Sequence, residues 1–463
     1  ILLFNIAFAA HTPYGPHQYP STGQLSYNFP LVKDFSGVLT PNNILSKATK
    51  YCDNGIVGPT SLAIHKQYIY TGTAGGGVYR CDIRTGNTTR IVKVANDLCK
   101  TKAWDISLCG RALGLRTDKK GTVYFVDAYL GLHEVVFYGN KVQVNRLLTV
   151  EETGGKYMAH LAIDEGSATN GGNVFYITIA STKRDLNQWP VMILEPDRTG
   201  IVIKYDSDTK KVETLMQGLW YPKSVEITDD RNALLVSEFN AKRIVKHYIK
   251  GKDKGKTETW AENLPGEAQH LMRSSEKNHE TYWLPIVNAR NVSNPNLIDW
   301  MSDKPALRQE LLDKYTQMGS SIEDLGKKEK NEKLEKLGFT LKTGLQFYMQ
   351  NVANNYGLIL EMDANGKILG SIHSIDGSNG YISEVVEGPS DNPYERVLYI
   401  GSFGYSYILK LTIPNFSQNV AQFDDQNLDF SYRQPLSSFN DLRIFGTRPF
   451  SRQPNYDYAI PSI

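Results

Sequence analysis

Apolar positions along this chain fall in pairs of short runs, and the pairs recur about every 40–70 residues. The units are "IYTGTAGGGVYRCD" (69–82), "VYFVDAYLGLHEVV" (123–136), "VFYITIASTKRD…GIVIKYD" (174–206), "ALLVSEFNAKRIVKHYI" (233–249), "TYWLPIVNARN…YGLILEMD" (281–363) and "VLYIGSFGYSYILKLTI" (397–413). Each holds one apolar strand, a small or polar turn, and a second strand ending in a charged or aromatic residue. Several follow a short strand led by Gly or Pro, as in "GPTSLAI", "GRALGLR" and "YPKSVEI". Six such units, each wanting about four strands, predict an all-β chain folded as a six-bladed β-propeller. An array of sandwiches would not place a Gly/Pro-led strand so regularly before each hairpin. In a propeller the first strand of each blade lines the central tunnel, so the residues just before those strands gather at one mouth. Lys223, in the "YPKSVEI" turn, is among them, where an uncharged residue would be expected.

The pattern is interrupted inside the fifth unit, by an insert over about residues 295–350. "SDKPALRQELLDKYTQM" (302–318) reads as a helix, with Ser302 and Asp303 as caps, Pro305 in the first turn, and Leu307, Leu311 and Tyr315 at four-residue spacing. The run "GKKEKNEKLEKLG" (326–338) mixes five Lys with three Glu, which suits a solvated face better than a membrane contact. Residues 414–463 have no clear period and read as an extended C-terminal arm. The expected organisation is an N-terminal segment (1–29), the propeller (30–413) and this tail (414–463). The tail and the insert are the natural surfaces for a protein partner or self-assembly. The first ten residues, "ILLFNIAFAA", are too few to span a bilayer, which takes ~20 in a helix. They suit the end of a longer N-terminal membrane anchor, a signal-peptidase site at Ala7-Phe8-Ala9, or a buried strand.

Composition narrows the function classes. The 463 residues carry a formal charge of only +2, so nothing argues for a nucleic-acid partner. The 27 Tyr favour β-structure. The four cysteines, Cys52, Cys81, Cys99 and Cys109, do not follow a paired C-x-x-C zinc spacing. Two disulfides, Cys99–Cys109 and Cys52–Cys81, are expected in place of four free thiols. Sequons at Asn87, Asn291 and Asn415 suit a glycosylated chain in an oxidising compartment.

Five stretches carry a resemblance: "LTPNNILSKATKYCDNGIVGPTSLAI", "CGRALGLRTDKKGTVYFVDAYLGLHEV", "NLPGEAQHL", "LIDWMSDKPALRQEL" and "YISEVVEGPSDNPYERVLYIGSF". Together they resemble the strictosidine synthase-like propellers over roughly residues 30–413. The resemblance implies a six-bladed propeller, a type II membrane anchor or secretion, a Cys99–Cys109 bridge, and arylesterase or lactonase chemistry that would rest on a calcium ion in the tunnel. A hard cation needs several oxygen ligands, and this chain departs from the family pattern at each. Where the family reads G-P-E-S, this chain has Gly58-Pro59-Thr60-Ser61. The family's Asn-Asp is here Ala159-His160, and F-P-N-G-V is Tyr221-Pro222-Lys223-Ser224-Val225. P-D-N-I is Ala268-Gln269-His270-Leu271. The expected site is therefore one without calcium or any other cofactor.

Lys223 then either places an ammonium where the ion's charge would sit, bonded to Thr60, Gln269 and nearby carbonyls, or bends outward into solvent. His160 and His270 are candidate bases, or ligands of a softer metal such as zinc, although no acidic third ligand is evident. The glutamate that the plant strictosidine-forming enzymes use aligns with Ser383. Glu384 beside it, and Glu238 in "VSEF", read as structural. There is no G-x-S-x-G elbow. The leading expectation is a non-catalytic, glycosylated, membrane-anchored or secreted pseudoenzyme. The alternative is a weak, metal-independent ester or lactone hydrolase using His160, Lys223, His270 or Glu384.

Overall fold

Strands buried at every position need neighbours on both faces, and four of them mark the architecture. In the computed structural model, which describes residues 27, 32, 34–93, 97–139, 141–275 and 280–415, Val123–Asp127, Val174–Ser181, Ala233–Glu238 and Thr281–Val287 are buried along their whole length. Each is the second strand of an antiparallel sheet, held between the sheet before it and the sheet after it. The sheets follow in chain order: Leu62–His65 to Thr88–Lys93, Ala112–Thr117 to Lys141–Leu148, Tyr157–Asp164 to Val212–Leu219, Pro222–Ile227 to Thr257–Ala261, Glu267–Ala268 to Ile368–Ser374, and Ile382–Gly388 to Ile408–Pro414. They are the blades of a β-propeller. The outermost strand of the last sheet is Thr49–Tyr51, which pairs antiparallel with Ile408–Pro414 and so closes the ring with the chain's own early residues.

The ring is stitched at the tunnel by polar side chains that bond the next sheet. Ser61 Oγ accepts from Leu115 N (3.0 Å), and Val225 N donates to His160 Nδ1 (3.3 Å). Ser224 Oγ accepts from Leu271 N (3.0 Å), and Ser383 Oγ donates to the Thr60 carbonyl (2.7 Å). Between the second and third sheets the backbones also come close. A Cβ on Gly114 would stand 2.8 Å from His160 Cα, so only glycine permits that approach.

The insert leaves the fifth sheet after Thr281–Val287 and returns at Gly357–Asp363. It forms helices Leu297–Met301, Pro305–Lys328, Glu332–Lys342 and Leu345–Asn351. The expected caps are corrected. Asn296 caps the short first helix in a capping box with Asp299, while the long helix starts at Pro305 behind Lys304 with no side-chain cap. Ser302 donates instead to the Asp299 carbonyl, and Asp303 pairs with Lys304. Leu307, Leu311 and Tyr315 do pack inward, against a cluster that includes Val191, Met192 and Phe347. The two longer helices form a hairpin whose backbones touch: a Cβ on Gly326 would lie 2.3 Å from Glu335 N. The Lys/Glu run is therefore half of a helix–helix seam, and Glu323 in that seam binds both Lys327 and Lys342.

Both disulfides are present, Cys52–Cys81 and Cys99–Cys109. Asn87 is exposed, but Asn291 is only 4% exposed and its Oδ1 accepts from Asn294 N (2.8 Å). That corrects the expectation at Asn291, because an attached glycan needs a side chain facing solvent. No helix among the described residues is long and apolar enough to cross a membrane. The expected N-terminal anchor and the C-terminal arm beyond residue 415 lie outside the described residues.

Candidate ligand cavity at the tunnel mouth

The turns that precede the inner strands meet at one end of the tunnel, where they floor a cavity of about 260 Å³. Thr60, Arg111, Lys223 and Gln269 form its base, from the first, second, fourth and fifth sheets. Aromatic rings (Tyr157, Tyr221, Phe239, Phe403) make the wall. Phe339, Thr343, Leu345 and Tyr348 of the insert roof it, and Cys99–Cys109 with Trp104 bounds another side. The insert is thus a lid. Tyr348 Oη holds Asn288 (2.6 Å), and Lys102 pairs with Glu335 across to the second sheet's approach loop. At its root Lys242, Glu267, Arg290 and Asp299 form a buried ionic cluster, with Arg290 to Asp299 at 3.1 Å and Lys242 to Glu267 at 3.3 Å.

Lys223 is 7% exposed. It stays at the tunnel mouth and does not bend outward, but it lacks the bonds to Thr60 and Gln269 expected there. Thr60 Oγ1 accepts from Arg111 and donates to the Gly58 carbonyl (3.1 Å), and makes no bond to Lys223. Among the described residues, the Lys223 ammonium has no ion pair or hydrogen bond. Its recorded neighbour is the Tyr221 ring, 5.8 Å from Nζ to the centroid. Burial, helped by the Arg111 charge, pushes its pKa down to about 8, so the charged form still predominates at neutral pH. Gln269, 3% exposed, also lines the floor, and its Oε1 is buried without a partner. Ala159 sits at a bulge of the third sheet's inner strand and lines no part of the cavity.

Beneath this floor lies a second layer that the cavity does not reach. His160, His270 and Glu384 are fully buried and none lines the cavity. Their candidate ligand atoms all lie within 4.8 Å of one another, and the two imidazole rings are 4.4 Å apart. Glu384 supplies the acidic third member that the sequence did not suggest, because it approaches from the last sheet, 114 residues after His270. Its oxygens are already engaged. Oε1 accepts from Leu62 N (2.8 Å), and Oε2 accepts from Ser61 Oγ (2.9 Å) and His270 Nδ1 (2.6 Å). Arg116 stands 3.7 Å from Oε1 and 3.2 Å from His160 Nε2, and reaches Glu226 at 3.5 Å.

The charge states follow. Burial raises the Glu384 pKa, but the His160 and His270 hydrogen bonds and the Arg116 charge outweigh it and hold the carboxyl well below its usual range. Burial drives both histidines down, His160 furthest, aided by Arg116. Two neutral imidazoles therefore bracket one carboxylate balanced by a guanidinium. His160 meets two donors, Val225 N at Nδ1 (3.3 Å) and Arg116 at Nε2 (3.2 Å), and a neutral ring can accept from only one of them. His270 donates through Nδ1, leaving Nε2 buried without a partner. A divalent metal on these three groups would displace the Ser61 and His270 bonds and face Arg116. Ser383 holds the Thr60 carbonyl, and Glu238 takes Trp220 N (2.7 Å) and Arg243 (2.5 Å).

Sequence reasoning missed Arg111 and Arg116, although both stand in "CGRALGLR". The signal was a guanidinium at each end of an otherwise apolar inner strand, which has no reason to be there unless it reaches the tunnel.

The chain matches the strictosidine synthase profile over residues 167–252 and the strictosidine synthase-like N-terminal profile over residues 37–81. Adipocyte plasma membrane-associated protein of Bos taurus is 30% identical over 382 residues, covering 82% of each chain. This chain accordingly belongs to the strictosidine synthase-like family, among the relatives of adipocyte plasma membrane-associated protein. The Drosophila melanogaster relative, hemomucin, is 26% identical and covers 83% of this chain and 64% of its own. Among solved structures, a luciferin-regenerating enzyme superposes with a TM-score of 0.48 at 8% identity, over 80% of this chain and 95% of that one.

Proposed function

We propose that this chain is a non-catalytic, calcium-independent member of its family: a six-bladed β-propeller, lidded by the insert of its fifth blade, that binds a small ligand at the tunnel mouth. The observation that carries this reading is the vertical separation of the two polar layers. The cavity ends on Lys223 and Gln269, whereas the His160–His270–Glu384 layer, with its unpartnered His270 Nε2, is fully buried and lines none of it. A general base must come within hydrogen-bond reach of the proton it takes.

Calcium fits this mouth poorly on the same grounds. Among the described lining residues there is no carboxylate, and an ammonium occupies the floor, while a hard cation draws on several anionic or carbonyl oxygens. Zinc on His160, His270 and Glu384 is disfavoured by the bonds those groups already make and by Arg116. The relatives' name supports attachment to, or display at, a plasma membrane, with glycans at Asn87 and Asn415. The tail and the insert's outer face remain the surfaces we assign to a protein partner.

The test is hydrolysis of an aryl-ester and lactone panel by the purified chain, with calcium and with chelator. Turnover no higher than buffer in both conditions is the expected outcome. Chelator-sensitive turnover would overturn the reading. A second reading, chelator-resistant hydrolysis by a Glu384–His270 pair, is favoured only by the free His270 Nε2. Turnover abolished in His270→Gln would establish it.

A further inference from the structure

The cavity's charge and shape say what it takes. Five of its described lining residues are cationic (Arg90, Lys93, Lys100, Arg111 and Lys223) and none is acidic. Arg90, Lys93 and Lys100 are exposed at the rim, while Lys223 sits at the buried end. Between them the surface is aromatic and aliphatic. Nine-tenths burial of an ammonium without a counter-ion is costly, and such groups are ordinarily paired or hydrogen-bonded. Gln269 stands on the same floor, and its unpartnered Oε1 is an acceptor that adds no hold on an anion.

From this we infer that the cavity is a site for a small carboxylic acid with an apolar body, its carboxylate on Lys223 and its body against the aromatic wall under the insert. This assignment rests on the binding function proposed above. A single buried ammonium neutralises one negative charge. A doubly charged phosphate would carry an excess into an apolar chamber, because Arg111 already holds the Gly58 carbonyl (2.7 Å) and Thr60. Aromatic walls can also hold cations, but five lining cations and no lining acid exclude that here. Divided by the ~30 Å³ that one water takes in the liquid, the volume accommodates about nine non-hydrogen atoms, which is the scale of octanoate. The rim cations would steer the anion inward.

Octanoate, octanol and octylamine titrated into the wild type and into Lys223→Met by calorimetry provide the test. The wild type should prefer octanoate over octanol by at least about tenfold and over octylamine by more, since one desolvated charge-assisted contact is worth that much. In Lys223→Met the acid-over-alcohol preference should vanish while octanol still binds, which also shows that the variant is folded. Lys223→Arg should keep part of the preference. Equal affinity for acid and alcohol in the wild type would overturn the headgroup assignment and leave the binding function standing. No binding of any of the three would overturn both.

Discussion

Replacing Glu384 separates a structural hub from a dispensable side chain. In Glu384→Ala three buried donors, Ser61 Oγ, Leu62 N and His270 Nδ1, lose their acceptor together, and Arg116 is left with Glu226 (3.5 Å) and the Leu115 carbonyl. A buried donor left unsatisfied costs about 1–3 kcal/mol, and removing one partner of a buried ion pair about 3–5 kcal/mol. These costs overlap, and a water admitted to the space would recover part of them, so the expected loss is about 4–6 kcal/mol. Glu384→Gln has a way out. Its carbonyl can accept from Leu62 N, and its NH₂ can donate to His270 Nδ1 if the imidazole moves its proton to Nε2, which has no partner now. The glutamine variant should lose only about 1–2 kcal/mol. Denaturant unfolding of wild type and both variants, compared at unchanged m-value, reads the difference. Alanine and glutamine variants within about 0.5 kcal/mol of each other would refute the tautomer argument. An alanine variant within about 1 kcal/mol of wild type would refute the hub.

Two further outcomes follow from the same interior. His133 and His373 are pushed down to about 4 and about 3 by burial, and His160 and His270 are lowered likewise. A basic group depressed in the fold stays neutral while the unfolded chain takes up a proton, so its stabilisation is full above the unfolded value of about 6.5 and is lost as pH falls below it. Between pH about 6.5 and 5.5 His133 and His373 should each cost about 1 kcal/mol, roughly 2 kcal/mol for the two, with His160 and His270 acting in the same direction. A denaturation midpoint flat across that interval would contradict the neutral imidazoles. Replacing Cys52 and Cys81 by serine opens a crosslink spanning 29 residues, worth about 3–4 kcal/mol by loop closure; a loss under about 1 kcal/mol in the same assay would contradict that.

The parts of the fold visible in the sequence are those whose burial is two-sided. Strands such as Val174–Ser181 are buried throughout because sheets cover both faces, and their mostly apolar sequences stand out as runs. Outer strands do not. Lys141–Leu148 is largely exposed, and the closing strand Thr49–Tyr51 has three polar or half-exposed residues, so neither carries a pattern. The inner-strand turns located Thr60, Lys223 and Gln269 at the mouth, since blade topology fixes that position. Depth was not legible. Whether His160 and His270 face the cavity or lie under it depends on rotations about the inner strands, and Glu384 joins them only through ring closure. The insert's role as a roof was equally hidden: Phe339 and Tyr348 reach the cavity because the helical hairpin folds back, which charge patterning in "GKKEKNEKLEKLG" does not encode.

The central claim, that the tunnel mouth is built around a lysine and holds no calcium, is tested most directly by titrating calcium into the chelator-stripped chain and following heat and unfolding temperature together. The account predicts no saturable heat and an unfolding temperature that neither calcium nor chelator moves. One-to-one binding that raises the unfolding temperature, and that Lys223→Asn strengthens without creating, would contradict it.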